Sequence, residues 1–479
     1  MATLREQSPE IGSDAPIVFG TSGWRGISGV DFTPARVAAA VHAVARWVAE
    51  GSPGAEVVVA HDTRPEGERY VRLACSALCA EGARVVRAQG PTATPVVTRA
   101  IFARGASAGL VFSASHNPPE YRGMKVFGPS GGALDRSATD RIEALVADGA
   151  RREAAPPFRL GELPGATDLV SPYLRDLREQ LDTARMRRSG IEVVYDAMHG
   201  AGSGVVDRAL RECGVDVEIL RGASDPRFGG GAPDPTPPRL RELSRRVRDT
   251  SGPVVGLATD GDADRFAVVA EDGSVLSETE AVALLVDHLA RSGRLEGGVA
   301  ISWVTGSLVE RVAASHGLGV TRCSIGFRHL SRQLESGAAA AAGEESGGFA
   351  LGRFGRDKDG ILASCLIAEL AAELAGQIGE RVALLHRRHG RSCCGRTALG
   401  AEGGAAAALE RLLRAPPDRV DSAIVRNASR QDGLYLALDD GFLMLRASGT
   451  EPLVRVYAEA PGPRRLARRL AAGESLLTR

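Results

Sequence analysis

Short apolar runs alternate with amphipathic stretches along most of the chain. In the first third, apolar runs predict buried strands, and apolar residues at helical spacing predict helices between them. The strands fall near residues 57–60, 84–88 and 108–112, and the helices near residues 34–48, 68–80, 95–103 and 138–147. The first helix has Thr33 as its predicted N-cap and Pro34 in its first turn. This alternation is typical of βαβ units, so we predict an α/β fold with parallel or mixed sheets.

The same rhythm returns twice before the pattern changes. The second round predicts strands near residues 191–195, 215–220 and 253–258, and the third predicts strands near residues 299–303 and 320–323. In the tail, predicted strands near residues 434–438, 442–446 and 454–459 precede a closing helix near residues 464–472, which indicates a smaller α+β domain. Two stretches near residues 151–170 and 395–408, rich in proline or in glycine and alanine, are predicted to be linkers.

Composition narrows the functional class. The 479 residues exceed what one hydrophobic core usually supports, which agrees with several domains. With 59 basic and 59 acidic residues the net charge is zero, so bulk charge points to neither a nucleic acid nor a membrane partner. Residues 1–10 lack the apolar segment of a signal peptide, and we find no apolar run that would span a bilayer. We therefore expect a cytoplasmic protein.

Two residue types stand out in the composition. The seven cysteines are scattered and odd in number, so reduced thiols are favoured over disulfides or a zinc site. Of the basic residues only Lys125 and Lys358 are lysines; all the others are arginine. Both lysines fall inside candidate motifs, and an ammonium group suits tight sites that a guanidinium does not fit. We therefore expect both lysines to be functional.

The chemistry centres on Ser113–Pro118, which follows the apolar run at residues 108–112. A strand that ends in small polar residues presents them at the carboxyl edge of a sheet, where open α/β folds place their ligands. Ser115 has His116 beside it and Lys125 soon after. A hydroxyl near an imidazole and a cation suits covalent transfer of an anionic phosphoryl group. The alternative is a turn that merely closes a βα connection.

A second candidate is the acidic segment Asp260–Arg265. Its carboxylates at Asp260, Asp262 and Asp264 alternate on a loop loosened by glycine, so they can converge on one hard cation such as Mg²⁺. The spacing also imitates an EF-hand loop, with Glu271 at the twelfth place. Arg265 occupies the position where that loop needs glycine, and the flanking residues predict strands instead of helices. We favour a magnesium site over an uncoordinated acidic turn.

Three further segments, at residues 20–26, 343–348 and 446–452, carry groups that bind anions or hydroxyls. The first offers two hydroxyls and Arg25 beside flexible glycines, and the last offers Arg446, two hydroxyls and glycine-exposed amides, a set that suits a phosphate. The middle segment offers Glu344 and Ser346, and such carboxylates accept hydrogen bonds from vicinal sugar hydroxyls. Each segment, taken alone, is also compatible with an ordinary turn.

Together these five segments resemble the α-D-phosphohexomutase superfamily. They occur in the family's order, and the resemblance covers nearly the whole chain. It implies four domains around a central cleft, three similar α/β domains with mixed sheets and a smaller C-terminal α+β domain. We accordingly predict domain boundaries at residues 1–155, 156–275, 276–390 and 391–479.

The resemblance also implies roles for individual residues. Ser115 would carry the phosphoryl group, with His116, Lys125 and Arg25 as the other catalytic residues. A phosphoserine oxygen on Ser115 would join the three aspartates in binding Mg²⁺. The implied substrate-binding residues are Thr21, Ser22, Arg265, Gly326, Arg328, Glu344, Ser346, Lys358, Arg446, Ser448, Gly449, Thr450 and Arg455.

The implied activity is that of a phosphoglucomutase/phosphomannomutase. Such an enzyme interconverts hexose 1-phosphate and hexose 6-phosphate through a phosphoserine and a hexose 1,6-bisphosphate, which also serves as activator. Phosphoglucosamine mutase is the alternative within the family. A phosphosugar phosphatase or bisphosphate synthase, and a non-catalytic phosphosugar-binding module, are the alternatives from other classes. The oligomeric state is left open by the sequence.

Three positions depart from the family pattern. Ala263 replaces a glycine of the metal loop, and Arg328 takes the place of a lysine found in many relatives. The sugar loop continues as Gly347-Gly348-Phe349, where the mannose/glucose and glucosamine branches have Ser-Gly-His. The acid/base scheme of those branches therefore does not carry over, and the Glu-Glu-Ser form resembles the glucose-preferring branches more.

Overall fold

The computed structural model describes residues 15–151, 163–401, 404–448 and 452–478, and these residues form four β-sheets. Three sheets are mixed and flanked by helices, and the fourth is antiparallel. The prediction of three α/β units followed by an α+β unit is confirmed. The four domain boundaries stay predictions.

The first sheet has six strands in the order β1-β5-β4-β2-β3-β6, and β5 runs antiparallel to both neighbours. Its elements are β1 (Trp24–Ile27), α1 (Pro34–Gly51), β2 (Glu56–His61), α2 (Gly67–Ala80), β3 (Arg84–Pro91), α3 (Thr94–Arg104), β4 (Ala108–Phe112), β5 (Tyr121–Phe127), α4 (Arg136–Arg151) and β6 (Ala166–Thr167). Helix α1 begins as predicted, because the hydroxyl of Thr33 accepts a hydrogen bond from the backbone N–H of Arg36.

The second and third sheets share one plan, three parallel strands with one antiparallel strand at an edge. The second unit contains α5 (Val170–Arg178), α6 (Thr183–Ser189), β7 (Glu192–Asp196), α7 (Val206–Glu212), β8 (Asp216–Leu220), α8 (Arg241–Asp249), β9 (Val254–Thr259) and β10 (Phe266–Val269). The third contains α9 (Glu278–Arg291), β11 (Val299–Ser302), α10 (Leu308–Ser315), β12 (Val320–Cys323), α11 (Phe327–Glu335), β13 (Ala341–Gly343), β14 (Phe349–Leu351), α12 (Gly360–Glu373) and α13 (Ile378–His389).

The fourth sheet is fully antiparallel, in the order β15-β20-β19-β18-β17-β16. Its unit contains β15 (Cys393–Gly400), α14 (Ala405–Arg414), β16 (Arg419–Val420), β17 (Ala423–Ser429), β18 (Leu434–Leu438), β19 (Gly441–Ala447), β20 (Leu453–Ala460) and α15 (Pro463–Leu477). This unit meets the third through an apolar cluster that includes Val304, Phe442 and Tyr457.

Helix α12 joins the second and third units. Every residue from Gly360 to Ala372 is buried, and the helix packs against β9 and β10 on one side and α9 and β14 on the other. One continuous apolar core runs through the first three units, with Val97, Leu257 and Leu366 among its members. The edges of the three sheets therefore have fixed positions relative to one another.

The two predicted linkers turn out differently. The prediction for residues 395–408 is wrong, because β15 pairs with β20 from Cys393 to Gly400 and α14 begins at Ala405. One of the small residues there serves close packing, because a Cβ on Gly395 would come within 3.2 Å of Leu466. The other stretch lies partly outside the described residues, and its end, β6, pairs with β3.

No single helix in the described part of the chain is long and apolar enough to cross a bilayer. Helices α12 and α13 reach that length and apolar character only when they are counted together, and the chain bends by 90° between them.

A buried ionic cluster fastens α12 to α9. Glu369 accepts hydrogen bonds from His288, at 2.8 Å, and from Arg294, and all but 1–2% of the Glu369 and His288 side chains is buried. Burial alone would raise the pKa of Glu369, but hydrogen bonds from His288 and Arg294 outweigh it and lower the pKa to about 2. The ionised carboxylate thus stabilises the folded state above its ordinary pKa, and this contribution is lost as the pH falls towards 2.

We predict that Glu369→Gln destabilises this core. Removing one partner of a buried ion pair costs about 3 kcal/mol, so the melting temperature at pH 7 of a cooperative unit of this size should fall by about 3–4 °C. Calorimetry from pH 7 down to pH 2.5 should show the difference from wild type shrinking with acidification. Glu242→Gln, which breaks an exposed pair with Arg245, is the control and should leave the melting temperature nearly unchanged. An equal fall in melting temperature for both variants would contradict the stabilising role of the buried Glu369 carboxylate.

Candidate active site

Three hairpin connections at corresponding places in the first three sheets form the centre of the site. Residues 113–120 (the serine loop) join β4 to β5, residues 260–265 (the acidic loop) join β9 to β10, and residues 344–348 (the sugar loop) join β13 to β14. In each case a strand with a parallel neighbour leads into an antiparallel partner. The polar residues of all three motifs therefore project from the edge of the sheet at which α/β folds bind ligands.

Close backbone contacts hold these connections together. The N–H of Phe266 donates to the carbonyl of Gly347 at 3.0 Å, which joins the acidic loop to the sugar loop. A Cβ on Gly261 would come within 2.6 Å of the carbonyl oxygen of Ser115, so glycine is needed where the acidic loop meets the serine loop. Three motifs far apart in sequence thus become neighbours.

Ser115 occupies a strained position in this centre. Its φ is 50°, a left-handed conformation that is uncommon for residues other than glycine, and its side chain is buried. Its backbone N–H donates to the hydroxyl of Ser113 at 2.9 Å. Its own hydroxyl donates to Asp260 at 2.5 Å and lies 3.4 Å from Nδ1 of His116. The backbone geometry therefore turns Oγ towards the acidic loop.

Both lysines of the chain neutralise the buried acidic loop. Nζ of Lys125, on β5, lies 2.6 Å from a carboxylate oxygen of Asp262 and 2.6 Å from one of Asp264. Nζ of Lys358 approaches Asp264 at 3.0 Å. Three carboxylates and two ammonium groups, from three of the units, are thus packed together and at least 95% buried. The expectation that both lysines belong to the site agrees with this geometry.

The acidic loop fits a hard divalent cation. One carboxylate oxygen from each of Asp260, Asp262 and Asp264 lies within 4.8 Å of the others. Oδ1 of Asp262 and Oδ1 of Asp264 are buried, and among the described residues neither has a hydrogen-bond partner. Buried carboxylate oxygens without donors are costly unless a cation coordinates them. The donor set, all oxygen and all buried, is the one that Mg²⁺ prefers.

The electrostatics of the centre favour anions. Burial alone would raise the pKa of Asp264, yet Lys125, Lys358 and Arg265 hold it well below its ordinary value. Burial, with Arg265 as the next cause, lowers the pKa of His116 well below its usual range, so the imidazole is neutral at pH 7. The positive charge therefore resides on the lysines and arginines, which suit an anionic ligand.

Arg25 and the pocket beside it extend the site towards the first motif. Arg25, on β1, donates a hydrogen bond to the side chain of Asn117. Burial, and then the charge of Arg265, lower the pKa of Arg25. The neighbouring pocket is lined by Thr21, Ser22, Gly23, Lys125, Val126, Phe127, Ala133, Asp264, Phe327, Asp357 and Lys358. Four residues predicted from sequence thus share this pocket with a carboxylate of the acidic loop.

The third sheet contributes the sugar loop and the segment around Gly326. The carboxylate of Glu344 is buried and accepts a hydrogen bond from the hydroxyl of Ser346 at 2.5 Å. Gly326 has a φ of 113° and faces Thr21, because a Cβ on Gly326 would come within 3.0 Å of that side chain. Burial lowers the pKa of Arg328, and neighbouring arginines add to this shift.

The fourth unit carries the predicted phosphate-binding residues Arg446, Ser448, Gly449, Thr450 and Arg455, which we call the phosphate cradle. Arg446 on β19 and Arg455 on β20 are register partners. Like charges directly opposite on neighbouring strands repel, so this pairing favours a bound anion. Arg446 also contacts Asp432 at 2.8 Å, and the other oxygen of Asp432 accepts the N–H of Ile325 at 2.7 Å. The cradle is therefore linked to the third unit beside Gly326.

The remaining cradle residues are only partly described. The N–H of Ser448 donates to the carbonyl of Leu453 at 2.8 Å, which closes the turn between β19 and β20. Gly449 and Thr450 lie outside the described residues.

Four residues of the centre were not singled out from sequence. Thr94, at the start of α3, donates to the carboxylate of Asp262, and Asp357 lines the pocket. Asp432 accepts a hydrogen bond from Arg446, and Arg64 donates a hydrogen bond to the backbone carbonyl of Ser115. Thr94 and Arg64 follow the ends of β3 and β2, so the rule that ligand-binding residues follow parallel strands would have identified them. No local pattern marks Asp432.

Comparison with known proteins identifies the family. Models of the phosphoglucomutase/phosphomannomutase family match the chain in order: α/β/α domain I at residues 16–153, domain II at residues 171–273, domain III at residues 278–388 and the C-terminal domain at residues 400–476. The chain belongs to this family. The predicted membership of the α-D-phosphohexomutase superfamily is confirmed.

Family relatives match almost end to end. The phosphoglucomutase/phosphomannomutase of Thermococcus kodakarensis is 29% identical over 96% of this chain and 98% of its own length. A phosphoglucosamine mutase of Frankia casuarinae is 32% identical over 95% of this chain and 97% of its own. A solved structure from Thermus thermophilus, of a protein provisionally assigned as a phosphomannomutase, has a TM-score of 0.83 at 29% identity and covers 97% of this chain and 99% of its own.

We predict that Asp262→Asn weakens Mg²⁺ binding at least about ten-fold, because it removes one charged oxygen of the donor set. Titration calorimetry with MgCl₂ measures the affinity directly. Asp196→Asn is the matched control, since Asp196 is equally buried at the end of β7 but pairs with Arg221. It should leave the affinity within about three-fold of wild type. Unaltered Mg²⁺ binding by Asp262→Asn would exclude the acidic loop as the metal site.

Proposed function

We propose that this protein is a phosphohexomutase that interconverts hexose 1-phosphate and hexose 6-phosphate, with glucose or mannose as the hexose. The observation that carries the proposal is the position of Ser115 Oγ, 2.5 Å from Asp260 in the buried acidic loop. A hydroxyl placed there would hold a phosphoryl group beside the three aspartates, near Lys125, which pairs with two of them, and near Arg25, which contacts Asn117 of the same connection. Membership of the phosphoglucomutase/phosphomannomutase family supports it.

The proposed reaction has two half-steps of the same kind. In the first, the free hydroxyl oxygen of the sugar phosphate forms a bond to the phosphorus on Ser115, and the bond from phosphorus to Oγ breaks. The hydroxyl proton passes to a protein base and then to Oγ. In the second, the bisphosphate has turned round, and Oγ forms a bond to its other phosphorus while the bond from that phosphorus to the sugar oxygen breaks. The proton of Oγ passes through the protein base to the sugar oxygen that has been freed. The sum is an isomerisation with Ser115 phosphorylated again.

The residues around Ser115 supply what this transfer needs. Phosphoryl transfer requires positioning and neutralised charge more than covalent help. Lys125 and Arg25 would face the equatorial oxygens, and the acidic loop would hold Mg²⁺, which neutralises phosphate charge when bound. His116 and Lys125 are the proposed proton-transfer groups. We favour His116, because its imidazole is neutral and Nδ1 lies 3.4 Å from Oγ, whereas Lys125 is held by two carboxylates.

The substrate would be held at both ends. The carboxylate of Glu344 would accept hydrogen bonds from the sugar hydroxyls, and the hydroxyl of Ser346 would donate one to them. Lys358 lies nearby in the adjoining pocket. Arg446 and Arg455 would bind the phosphate that does not react, since their facing charges favour an anion. A hexose 1,6-bisphosphate would act as activator by phosphorylating Ser115. Free rotation of the bisphosphate would then let either phosphate occupy the cradle.

Phosphoglucosamine mutase is the second candidate. Its support is that relatives with this name, among them that of Frankia casuarinae at 32% identity, match the chain over nearly its whole length. Against it, the sugar loop lacks the histidine of the glucosamine branch and has Phe349 instead. The choice between the two rests on relative rates with the two sugars.

We predict that wild type converts glucose 1-phosphate to glucose 6-phosphate when Mg²⁺ and a trace of glucose 1,6-bisphosphate are present. Ser115→Ala should lower kcat by at least about three orders of magnitude, because it removes the phosphoryl carrier. A dehydrogenase-coupled assay follows the product, and parallel assays with mannose 1-phosphate and glucosamine 1-phosphate rank the substrates. We expect glucose 1-phosphate to give the highest kcat/KM.

Ser364→Ala, which alters a buried serine of α12, is the control and should keep near wild-type turnover. Turnover by Ser115→Ala within about ten-fold of wild type would contradict the phosphoserine mechanism. A higher kcat/KM with glucosamine 1-phosphate would establish the second candidate instead. Release of inorganic phosphate at the rate of turnover would indicate a phosphatase.

A further inference from the structure

Arg64 lies directly behind the serine loop. It follows β2 in the segment His61–Arg64, at the same sheet edge as Ser115, and only 4% of it is exposed. Its Nη1 donates to the carbonyls of Pro118, at 2.9 Å, and Tyr121, at 3.1 Å. Its Nη2 donates to the carbonyls of Ser115, at 2.7 Å, and Asn117, at 2.6 Å. One guanidinium thus binds three carbonyls of the connection and the carbonyl of Tyr121, the first residue of β5.

The guanidinium is itself fixed from two sides. Its Nε lies 3.4 Å from the carboxylate of Asp62, whose other oxygen accepts the backbone N–H of Arg64 at 2.8 Å. On the opposite side the guanidinium carbon lies 4.8 Å from the ring centroid of Phe228, which belongs to the second unit. The guanidinium of Arg64 is therefore held in one position, and its hydrogen bonds hold the backbone of the serine loop in place.

The serine loop needs such a support because its conformation is unfavourable by itself. Ser115 adopts a φ of 50°, and the chain turns between β4 and β5 with carbonyls directed into the protein. Buried carbonyls without donors are costly, and a left-handed serine persists only where the surroundings over-determine it. A lysine could not replace Arg64, since an ammonium lacks the planar fork that reaches carbonyls on both sides.

We propose that Arg64 is a positioning residue for phosphoryl transfer, which it serves by fixing the carbonyl of Ser115 and hence the direction of Oγ towards Asp260 and His116. This inference rests on the proposed function of Ser115. Arg64 does not touch the reacting atoms; it acts through the backbone of the residue that does. Its effect should therefore appear in the rate of the chemical step and not in the affinity for the phosphosugar.

A purely structural role is the competing explanation, because Arg64 also joins the first unit to the second. Arg99 provides a matched control. It too is partly buried, donates to a backbone carbonyl, that of Phe354 at 2.8 Å, and pairs with Asp176 at 3.0 Å. Its guanidinium lies 4.8 Å from the ring centroid of Phe354. Arg99 thus makes the same kinds of contact between units without touching the serine loop.

The experiment compares Arg64→Lys and Arg64→Met with Arg99→Lys and Arg99→Met in the full-length protein. Steady-state kinetics with glucose 1-phosphate separate kcat from KM, and melting temperatures report stability. Hydrogen–deuterium exchange of the peptide covering residues 113–121 reports the loop without depending on turnover. Arg64→Lys keeps the charge, so it remains informative if Arg64→Met fails to fold.

We expect both Arg64 variants to lose about 100-fold in kcat, the scale associated with misplacing a reacting group by about 1 Å, with KM changed less than about three-fold. Exchange should rise across residues 113–121 in these variants and stay at the wild-type level there in the Arg99 variants. The inference is overturned if kcat of Arg64→Lys stays within about three-fold of wild type, or if the Arg99 variants lose kcat equally. Unchanged exchange at residues 113–121 would also overturn it, whether or not the wild type turns over hexose phosphate.

Discussion

Three buried carboxylates on one short loop set the central physical constraint in this protein. Asp260, Asp262 and Asp264 cannot lie out of water unless cations compensate them. Lys125 from the first unit and Lys358 from the third supply that charge, so the acidic loop of the second unit is stable only where all three units meet. The apolar core around α12 fixes that meeting point. The same unpaired oxygens that make burial of the loop costly fit coordination of a divalent cation.

The repeated sheet plan explains how one cleft collects groups from distant parts of the chain. In each of the first three units, a motif occupies the connection between a strand with a parallel neighbour and its antiparallel partner. When the units pack with these edges inward, the serine, the acidic loop and the sugar loop come together. The fourth unit has a different, antiparallel sheet, on which Arg446 and Arg455 face each other. Asp432 connects this sheet to the third unit, because it contacts both Arg446 and the N–H of Ile325. Repetition thus brings the three motifs of the candidate site together, and the fourth unit adds the residues that we propose for binding a second phosphate.

Much of this could be predicted from sequence, because it depends on local signals. The cap at Thr33, the strands on both sides of the acidic loop and the strand–helix tail follow from periodicity and turn chemistry, and the motifs themselves follow from residue types at short spacing. What could not be predicted depends on tertiary contact. The small residues near Gly395 suggested a linker because composition cannot distinguish flexibility from the close packing of β15 against α15. Asp432 acts on Ile325, more than one hundred residues away, and no pattern in its own segment reveals it. Arg64 follows the end of a parallel strand, but its contacts with the loop at residues 113–120 depend on tertiary structure.

The proposed reaction requires Ser115 to carry the phosphoryl group, and mass spectrometry of the protein tests this most directly. Wild type would be incubated with glucose 1,6-bisphosphate and Mg²⁺, its intact mass recorded, and the modified residue located by peptide fragmentation. We expect a single added phosphoryl group on Ser115, and no added phosphoryl group on Ser115→Ala after the same treatment. A protein that stays unmodified, or that is phosphorylated at another residue, would contradict the account.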